Sequence, residues 1–348
     1  MKLGIIGLPQ AGKRTLFAAL TGARGEQAAQ HASRSDQSIG TVRVADERVD
    51  LLTQVYRPKK TTYAQVEYLL PSSPGGATPS KTEGALWNQI RTCDALIHVL
   101  RNFEGPGGVA PTPEADFRRL EEEMILSDLI VAEKRIERIE LDSKRGNRPN
   151  EEEYVLIRTC RELLENGQPI RLNPELASAQ VLRGFTFLSA KPQLVLINNE
   201  EDDESAPEWE SPPDRLETMV VRGRLEMDIA SMPPEEAREF RAEFHIETSV
   251  LDRVIMASHR LLKLISFFTV LNDEVRAWTV EENCSALEGA GAVHSDIRKG
   301  FIRAEVLSFE HLKQYGTFPE AKKAGQVRLE GREYRIQDGD IINFRFNV

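Results

Sequence analysis

The chain has 348 residues, a formal net charge of −10, 40% hydrophobic and 29% charged residues, which describes a soluble globular protein with room for two or three domains. No apolar run approaches a membrane span, and the amino terminus lacks the basic-then-apolar layout of a signal peptide. The separated cysteines Cys93, Cys160 and Cys284 argue against a zinc site and for a reducing cytoplasm, and the acidic balance means that a nucleic-acid partner would need a local basic surface.

Leu3, Ile5 and Ile6 predict a buried strand, and Leu16, Phe17 and Leu20 predict a helix over 13–21. Between them, Gly7-Leu8-Pro9-Gln10-Ala11-Gly12-Lys13-Arg14-Thr15 follows the phosphate-loop pattern GxxxxGK[ST] at Gly7, Gly12 and Lys13. The strand–loop–helix setting is the one that pattern requires. Glycines let several backbone N–H groups converge on one anion, and the helix start adds partial positive charge. Lys13 would reach the β and γ phosphates. The candidate nucleotide-binding residues are therefore Gly7, Pro9, Gln10, Ala11, Gly12, Lys13, Arg14 and Thr15. The hydroxyl that would hold Mg²⁺ is missing, because Arg14 stands in its place. Thr15 lies one position on and points about 100° away on a helix.

Further along, 46–56 reads as a helix and 71–82 as a loop by its Pro, Ser and Gly content. The run 95–100 reads as a buried strand and 104–113 as a second loop. Phe117, Leu120, Met124, Leu129, Ala132, Ile136 and Ile139 mark an amphipathic helix within 114–145. After a turn at Gly146 to Asn150, the pattern resumes with Tyr154, Ile157, Cys160 and Leu164. Two antiparallel helices joined in this way make an arm, and its charge-rich faces read as solvated surface. The run 193–197 is a third buried strand, and strands alternating with helices imply a parallel sheet covered on both faces. The acidic, proline-broken stretch 200–214 reads as a solvated loop rather than a metal site.

In the last eighty or so residues, Val275 to Val280 is strand-like. Glu330–Ile336 and Ile341–Phe346 alternate around Asp338-Gly339-Asp340, which predicts a hairpin. Lys322, Lys323, Arg328, Arg332, Arg335 and Arg345 are candidates for a basic, RNA-binding face on that sheet, set against an ordinary mixed-charge surface. His98, His245, His259, His294 and His311 show no catalytic spacing and are read as structural or surface residues.

Gly7-Leu8-Pro9 with Gly12-Lys13 and Thr15 to Thr21, Glu83-Gly84 with Asn88-Gln89, Glu274 to Thr279, Lys299 to Ala304, and Asp338-Gly339-Asp340 through Phe346-Asn347-Val348 together resemble the YchF subfamily of Obg-like P-loop ATPases. The resemblance covers nearly the whole chain. It implies an α/β fold: a Ras-like P-loop nucleotide domain over 1–113 and 167–265, an inserted antiparallel coiled-coil arm over 114–166, and a β-grasp TGS domain over 266–348. It also implies ATP or GTP as ligand and association with ribosomes or RNA in the cytoplasm. Nothing points to DNA or a membrane. The family reads the base with Asn-x-x-Glu after a buried strand. Here Asn198-Asn199-Glu200-Glu201 matches at Asn198 and Glu201, with Asn199 between them, and Glu226 falls where the family has the Glu of its last base-side motif.

The departures concentrate on the metal. Arg34 falls where the family has its first-switch threonine, and Glu67-Tyr68-Leu69-Leu70 where it has the second-switch Asp-x-x-Gly. With Arg14, all three Mg²⁺ elements are altered, so no metal ligand and no catalytic residue is assigned. Fixed guanidinium charge at Arg14, helped by Arg34, can stand in for the metal between phosphate oxygens, which implies nucleotide or phosphate binding with weak or absent hydrolysis. Equally, Arg14 turns to solvent or fills the metal site. Two further readings stand beside the first: a working ATPase or GTPase that binds metal in an unusual way, and a nonenzymatic adaptor with a vestigial loop.

Overall fold

The strands, in chain order, are β1 (Lys2–Ile6), β2 (Ser38–Arg43), β3 (Lys60–Thr62), β4 (Gln65–Leu70), β5 (Ala95–Asn102), β6 (Gln193–Asn199), β7 (Glu217–Val221), β8 (Leu264–Leu271), β9 (Glu274–Glu281), β10 (Phe301–Leu307), β11 (Arg328–Glu330) and β12 (Ile341–Phe346). This computed structural model describes every residue except 32–36, 73–78, 149, 214, 244–248, 272 and 348. The mixed α/β class expected from the sequence is the class observed. The chain divides into two compact units, one of Met1–Thr41 with Glu67–Val254 and one of Val42–Val66 with Ile255–Val348.

The sheet of the first unit has the order β2-β4-β1-β5-β6-β7, and β4, β1, β5, β6 and β7 run parallel, each to its neighbour. Leu3, Ile5, Leu96, Ile97, Val99, Leu194 and Leu196 are buried. Runs buried at consecutive positions mark strands covered on both faces, so apolar content rather than alternation identified them. The loop after β1 therefore opens at the carboxyl end of a central strand, the place where open α/β sheets bind ligands. The helix that follows spans Lys13–His31 and is interrupted at Gly22 (φ 66°, ψ −166°), just past the expected end at 21.

The helix Pro113–Lys144 is followed by the helix Glu151–Glu165. At about 1.5 Å per residue the first is roughly 48 Å long and the second about 22 Å, so only the distal part of the first has a helical partner. Ile125, Ala132, Ile136 and Ile139 pack with Ile157, Cys160 and Leu164. Nearer the start, Met124 and Leu120 join Ile6, Leu69 and Leu96, while Phe117 packs on Leu100 and Val195. Half of the long helix is thus part of the sheet's own core. The region 71–82, expected to be a loop, contains the start of a helix, Pro79–Arg91.

The second unit carries a sheet of order β11-β10-β12-β8-β9-β3. Its core gathers Phe267, Val280, Ala286, Phe301, Val306, Ile336 and Phe344. The expected strand at 275–280 is β9. The expected hairpin is corrected: β11 pairs antiparallel with β10, and β12 lies between β10 and β8. The turn explains why. The Asp340 carboxylate accepts from Gln337 N–H (2.9 Å) and Tyr334 O–H (2.7 Å). Asp338 Oδ1 accepts from Ser266 N–H (2.8 Å), and Gly339 N–H donates to Ser266 O (2.8 Å). The turn is therefore fastened to β8, which delivers β12 beside β8 instead of back to β11. The segment Val42–Val66, kept with the nucleotide domain in the sequence reading, lies in this unit because β3 pairs with β9.

Candidate functional site: the loop after the first strand

The backbone of 7–15 has the shape its glycines permit. Gly7 has φ 150°, and a Cβ there would sit 2.4 Å from Val99 O. Gly12 has φ 89°, and its Cβ would lie 2.2 Å from Asn198 Nδ2. At the exposed tip, next to Pro9, Gln10 also has a left-handed φ of 66°. Ala11 is buried and its N–H donates to Leu8 O (3.3 Å). The first helical bond is Leu16 N–H to Gly12 O (3.0 Å). The amides of Lys13, Arg14 and Thr15 precede it and lie at the positive end of the helix.

Lys13 Nζ donates to Gly7 O and Leu8 O, both at 2.7 Å. Burial, with the neighbouring Arg14 charge adding to it, lowers its pKa to about 8. A half-desolvated ammonium held across the loop by two carbonyls is poised for an anion. Arg14 is exposed and has no ion-pair partner among the described residues.

On the base side, Asn198 ties three segments together. Its Nδ2 donates to Ala11 O (3.1 Å) and its Oδ1 accepts from Gly223 N–H (2.9 Å). Asn199 Oδ1 accepts from Asn102 Nδ2 (2.9 Å), and its own Nδ2 donates to Asp203 O (3.1 Å) and Ser205 O (2.7 Å). Both asparagines are thus committed to holding the site together. Glu201 faces Arg224 at 3.1 Å, and Arg222 bonds Glu204 at 2.8 Å. Glu226 is buried, accepting from Ser249 O–H (3.0 Å) and Val250 N–H (3.3 Å), so its carboxylate is engaged within the fold.

The structure does not bring every candidate to the loop. Arg34 lies outside the described residues. Glu67 pairs in register with Lys2, and Leu69 with Gly4. Glu67 is therefore about 13 Å along the strands from the level of Ile6, at the far end from the loop. By this register the strand end near the loop carries not Glu67 but Leu70, which is buried. An arginine at 14 and a buried leucine at the strand end are not a donor set for a hard, oxygen-seeking Mg²⁺. Among the described residues no cluster of three or more His, Cys, Asp or Glu is placed to hold a metal. Asn102 and Gly223 escaped the sequence reading. The fold shows why position 223 is a glycine: a Cβ there would sit 2.9 Å from Asn198 Oδ1.

The basic residues considered for the carboxyl-terminal sheet are only partly paired, and Lys323 and Arg332 have no ion pair among the described residues. Lys322 and Arg345 both pair with Glu305, Arg328 bonds Tyr334 O–H and approaches Glu330, and Arg335 donates to Asn283 O.

Residues 264–347 match a family model described as "YchF-GTPase_C: Protein of unknown function (DUF933)". The chain is 37% identical to the ribosome-binding ATPase YchF of Bacillus subtilis, over 99% of each chain. It is 36% identical to the protein of that name from Escherichia coli O157:H7, over 100% of this chain and 99% of the other. The solved structure of the Schizosaccharomyces pombe YchF GTPase superposes with a TM-score of 0.82 at 26% identity, covering 99% of this chain and 97% of that one. With more than a third of its residues shared along essentially the whole of two bacterial relatives, this chain, arginine at the phosphate loop included, belongs to the YchF family.

Proposed function

We propose that this protein binds ATP or GTP at the loop 7–15 and works on the ribosome in the cytoplasm, with guanidinium charge in place of Mg²⁺ and with weak or absent hydrolysis. The observation that carries this reading is a phosphate cradle of intact geometry next to a degraded metal site. Gly7 and Gly12 keep their left-handed backbone and Lys13 spans the loop, while positions 14 and 70 hold Arg and buried Leu. Ribosome association is taken from the printed name of the bacterial relatives, and a TGS assignment for the carboxyl-terminal unit accords with the family model that covers it.

Arg14 begins at the helix position that would otherwise present the metal-binding hydroxyl. Its planar fork can bind two phosphate oxygens at once. The guanidinium charge stabilises bound phosphate but lacks the metal's coordination geometry, which slows transfer. Glu201, held by Arg224, is weakened as a guanine-selecting carboxylate, which leaves room for both nucleotides.

Calorimetric titration with ATP, GTP and ADP, each with Mg²⁺ and again with EDTA, tests the reading. Binding that survives EDTA and weakens in Arg14→Ser supports it, with Mg²⁺ dependence reappearing in the variant. Binding that EDTA abolishes refutes the arginine substitution. The family name of the relatives favours a second reading, a working ATPase; phosphate release with Mg²⁺ at the rate of an ordinary P-loop hydrolase would establish it.

A further inference from the structure

Away from the phosphate loop, the outer half of the helical arm carries an open cleft of about 530 Å³. It is lined by Lys134, Arg135 and Arg138 of the long helix, Glu153 of the second helix, and Gly184 and Phe185 of the short helix Gln180–Phe185. Three cations face one carboxylate in a chain whose net charge is −10. Arg135 grips Glu153 through Nε (2.6 Å) and Nη2 (3.0 Å), so that carboxylate is spent. Lys134 and Arg138 are exposed and have no ion-pair partner among the described residues. They lie four residues apart, on one face and about 6 Å along the helix. The acids next to them in sequence, Glu133 and Glu137, do not line the cleft.

The remaining wall is apolar, made by Val181, Gly184 and Phe185. Phe185 is half-buried and stacks on Phe187, with ring centroids 5.5 Å apart and planes 20° from parallel. Phe187 is buried, so the outer ring is backed by a fixed one. Gly184 beside it has nothing within 4 Å of where a Cβ would stand, which leaves the cleft floor open. Unpaired cations in a row beside a held aromatic face are the chemistry by which single-stranded nucleic acid is bound: phosphates on the cations, a base stacked on the ring. An acidic peptide would use the cations and leave the exposed part of the ring uncovered.

We propose that this cleft is a binding site for single-stranded RNA, with Lys134 and Arg138 on successive phosphates and Phe185 stacked on a base. It rests on the ribosome-bound reading above for its biological setting and gives that reading a contact surface. The test uses the full chain and a short fluorescent single-stranded RNA, read by polarisation across a salt series. The unsubstituted protein is expected to bind. The double variant Lys134→Ala with Arg138→Ala should weaken binding about tenfold or more and lower the log–log salt slope by about 1.4, the share of two single-strand phosphate contacts. Phe185→Leu should weaken binding several-fold at an unchanged slope. Circular dichroism and the urea midpoint serve as folding controls; the lysine and arginine are exposed, so neither should move in the double variant.

The assignment is overturned if the unsubstituted protein ignores the RNA, if the double variant binds as tightly as it does, or if a polyglutamate peptide competes as well as RNA. Co-sedimentation with ribosomes separates the two readings. Cleft-dependent RNA binding without co-sedimentation keeps the cleft and removes the ribosome. Co-sedimentation with RNA binding indifferent to Lys134 and Arg138 removes the cleft and keeps the ribosome.

Discussion

Lys13 makes the phosphate loop sensitive to pH in a range where most lysines are not. Its pKa is held near 8 by burial, with Arg14 adding to it. An anion bound at the loop favours the protonated form, so affinity for ATP should fall as pH rises through 8. Titrations in that series, at constant ionic strength, test this; an affinity flat to pH 9 would mean that Lys13 does not meet the phosphates. Gly12 is hard to replace, because a methyl group would stand 2.2 Å from Asn198 Nδ2 at φ 89°. Gly12→Ala should cost at least about tenfold in nucleotide affinity and about 1–3 kcal/mol of stability, read by calorimetry and urea unfolding. His98 shows how differently burial acts elsewhere. It is enclosed in β5, stacks on Phe117, and takes a hydrogen bond from Gln193 Nε2 at 2.8 Å. Burial, with Arg171 and Lys13 adding to it, lowers its pKa from 6.5 to about 3. The unfolded chain therefore binds this proton first, and stability should be lost as pH falls from about 6.5 toward 3, by up to about 1.4 kcal/mol per pH unit. His98→Phe should flatten that slope; an unchanged slope would assign the acid sensitivity to the carboxylates alone.

The most deeply buried acid of the long helix helps to seat it. Asp128 is fully buried and accepts from Leu188 N–H (3.0 Å), Ser189 N–H (2.7 Å) and Arg91 Nη1 (3.1 Å). It satisfies two backbone amides and a cation that have no water to turn to. Asp128→Ala leaves both amides without this partner and Arg91 with only Thr186 O and Ser127 to bond, and should destabilise the protein by about 3 kcal/mol. The urea midpoint measures it, and a loss under 1 kcal/mol would mean that water enters to replace the carboxylate. This anchor was invisible in the sequence, where Asp128 is one charge among many on a helix. The apolar residues of the same helix were legible, because recurrence at three to five residues survives whatever they pack against. Their partners were not: periodicity gave Phe117 and Ile136 the same status, although one lies under the sheet and the other between helices.

The carboxyl-terminal unit is not a contiguous stretch of chain. The helix Glu47–Tyr56 and β3 belong to it. Arg48 bonds Asp338 at 2.6 Å, Phe318 N–H donates to Tyr56 O–H oxygen at 2.7 Å, and β3 runs parallel to β9. Cutting the chain before 264 should therefore strip residues 42–66 of their partners. Limited proteolysis is expected to cleave within 42–66 in a fragment 1–263 and to spare that segment in the full chain; equal resistance in both would show that the segment is held by the first unit. Among the described residues no helix is long and apolar enough to cross a membrane.

Covalent spacing along the chain decided several features before any folding. The phosphate-loop pattern, the three buried strands and the two arm helices are local arrangements, and the residues that make them are neighbours in sequence. The arginine at position 14 belongs with them, since its departure from the pattern needs no partner to be seen. Other features waited for the tertiary structure because they are matters of register and shared partners. Glu67 resembles a switch acid in a string of letters, but pairing with Lys2 puts it at the wrong end of its strand. The turn at Asp338-Gly339-Asp340 has a hairpin's composition, yet its bonds to Ser266 send β12 to another neighbour. Asn198 could be named as a base-side residue, but only the fold shows it joining Ala11 to Gly223. A hydrogen bond between residues 187 positions apart leaves no trace in local composition, because what creates it is the closing of the sheet around both.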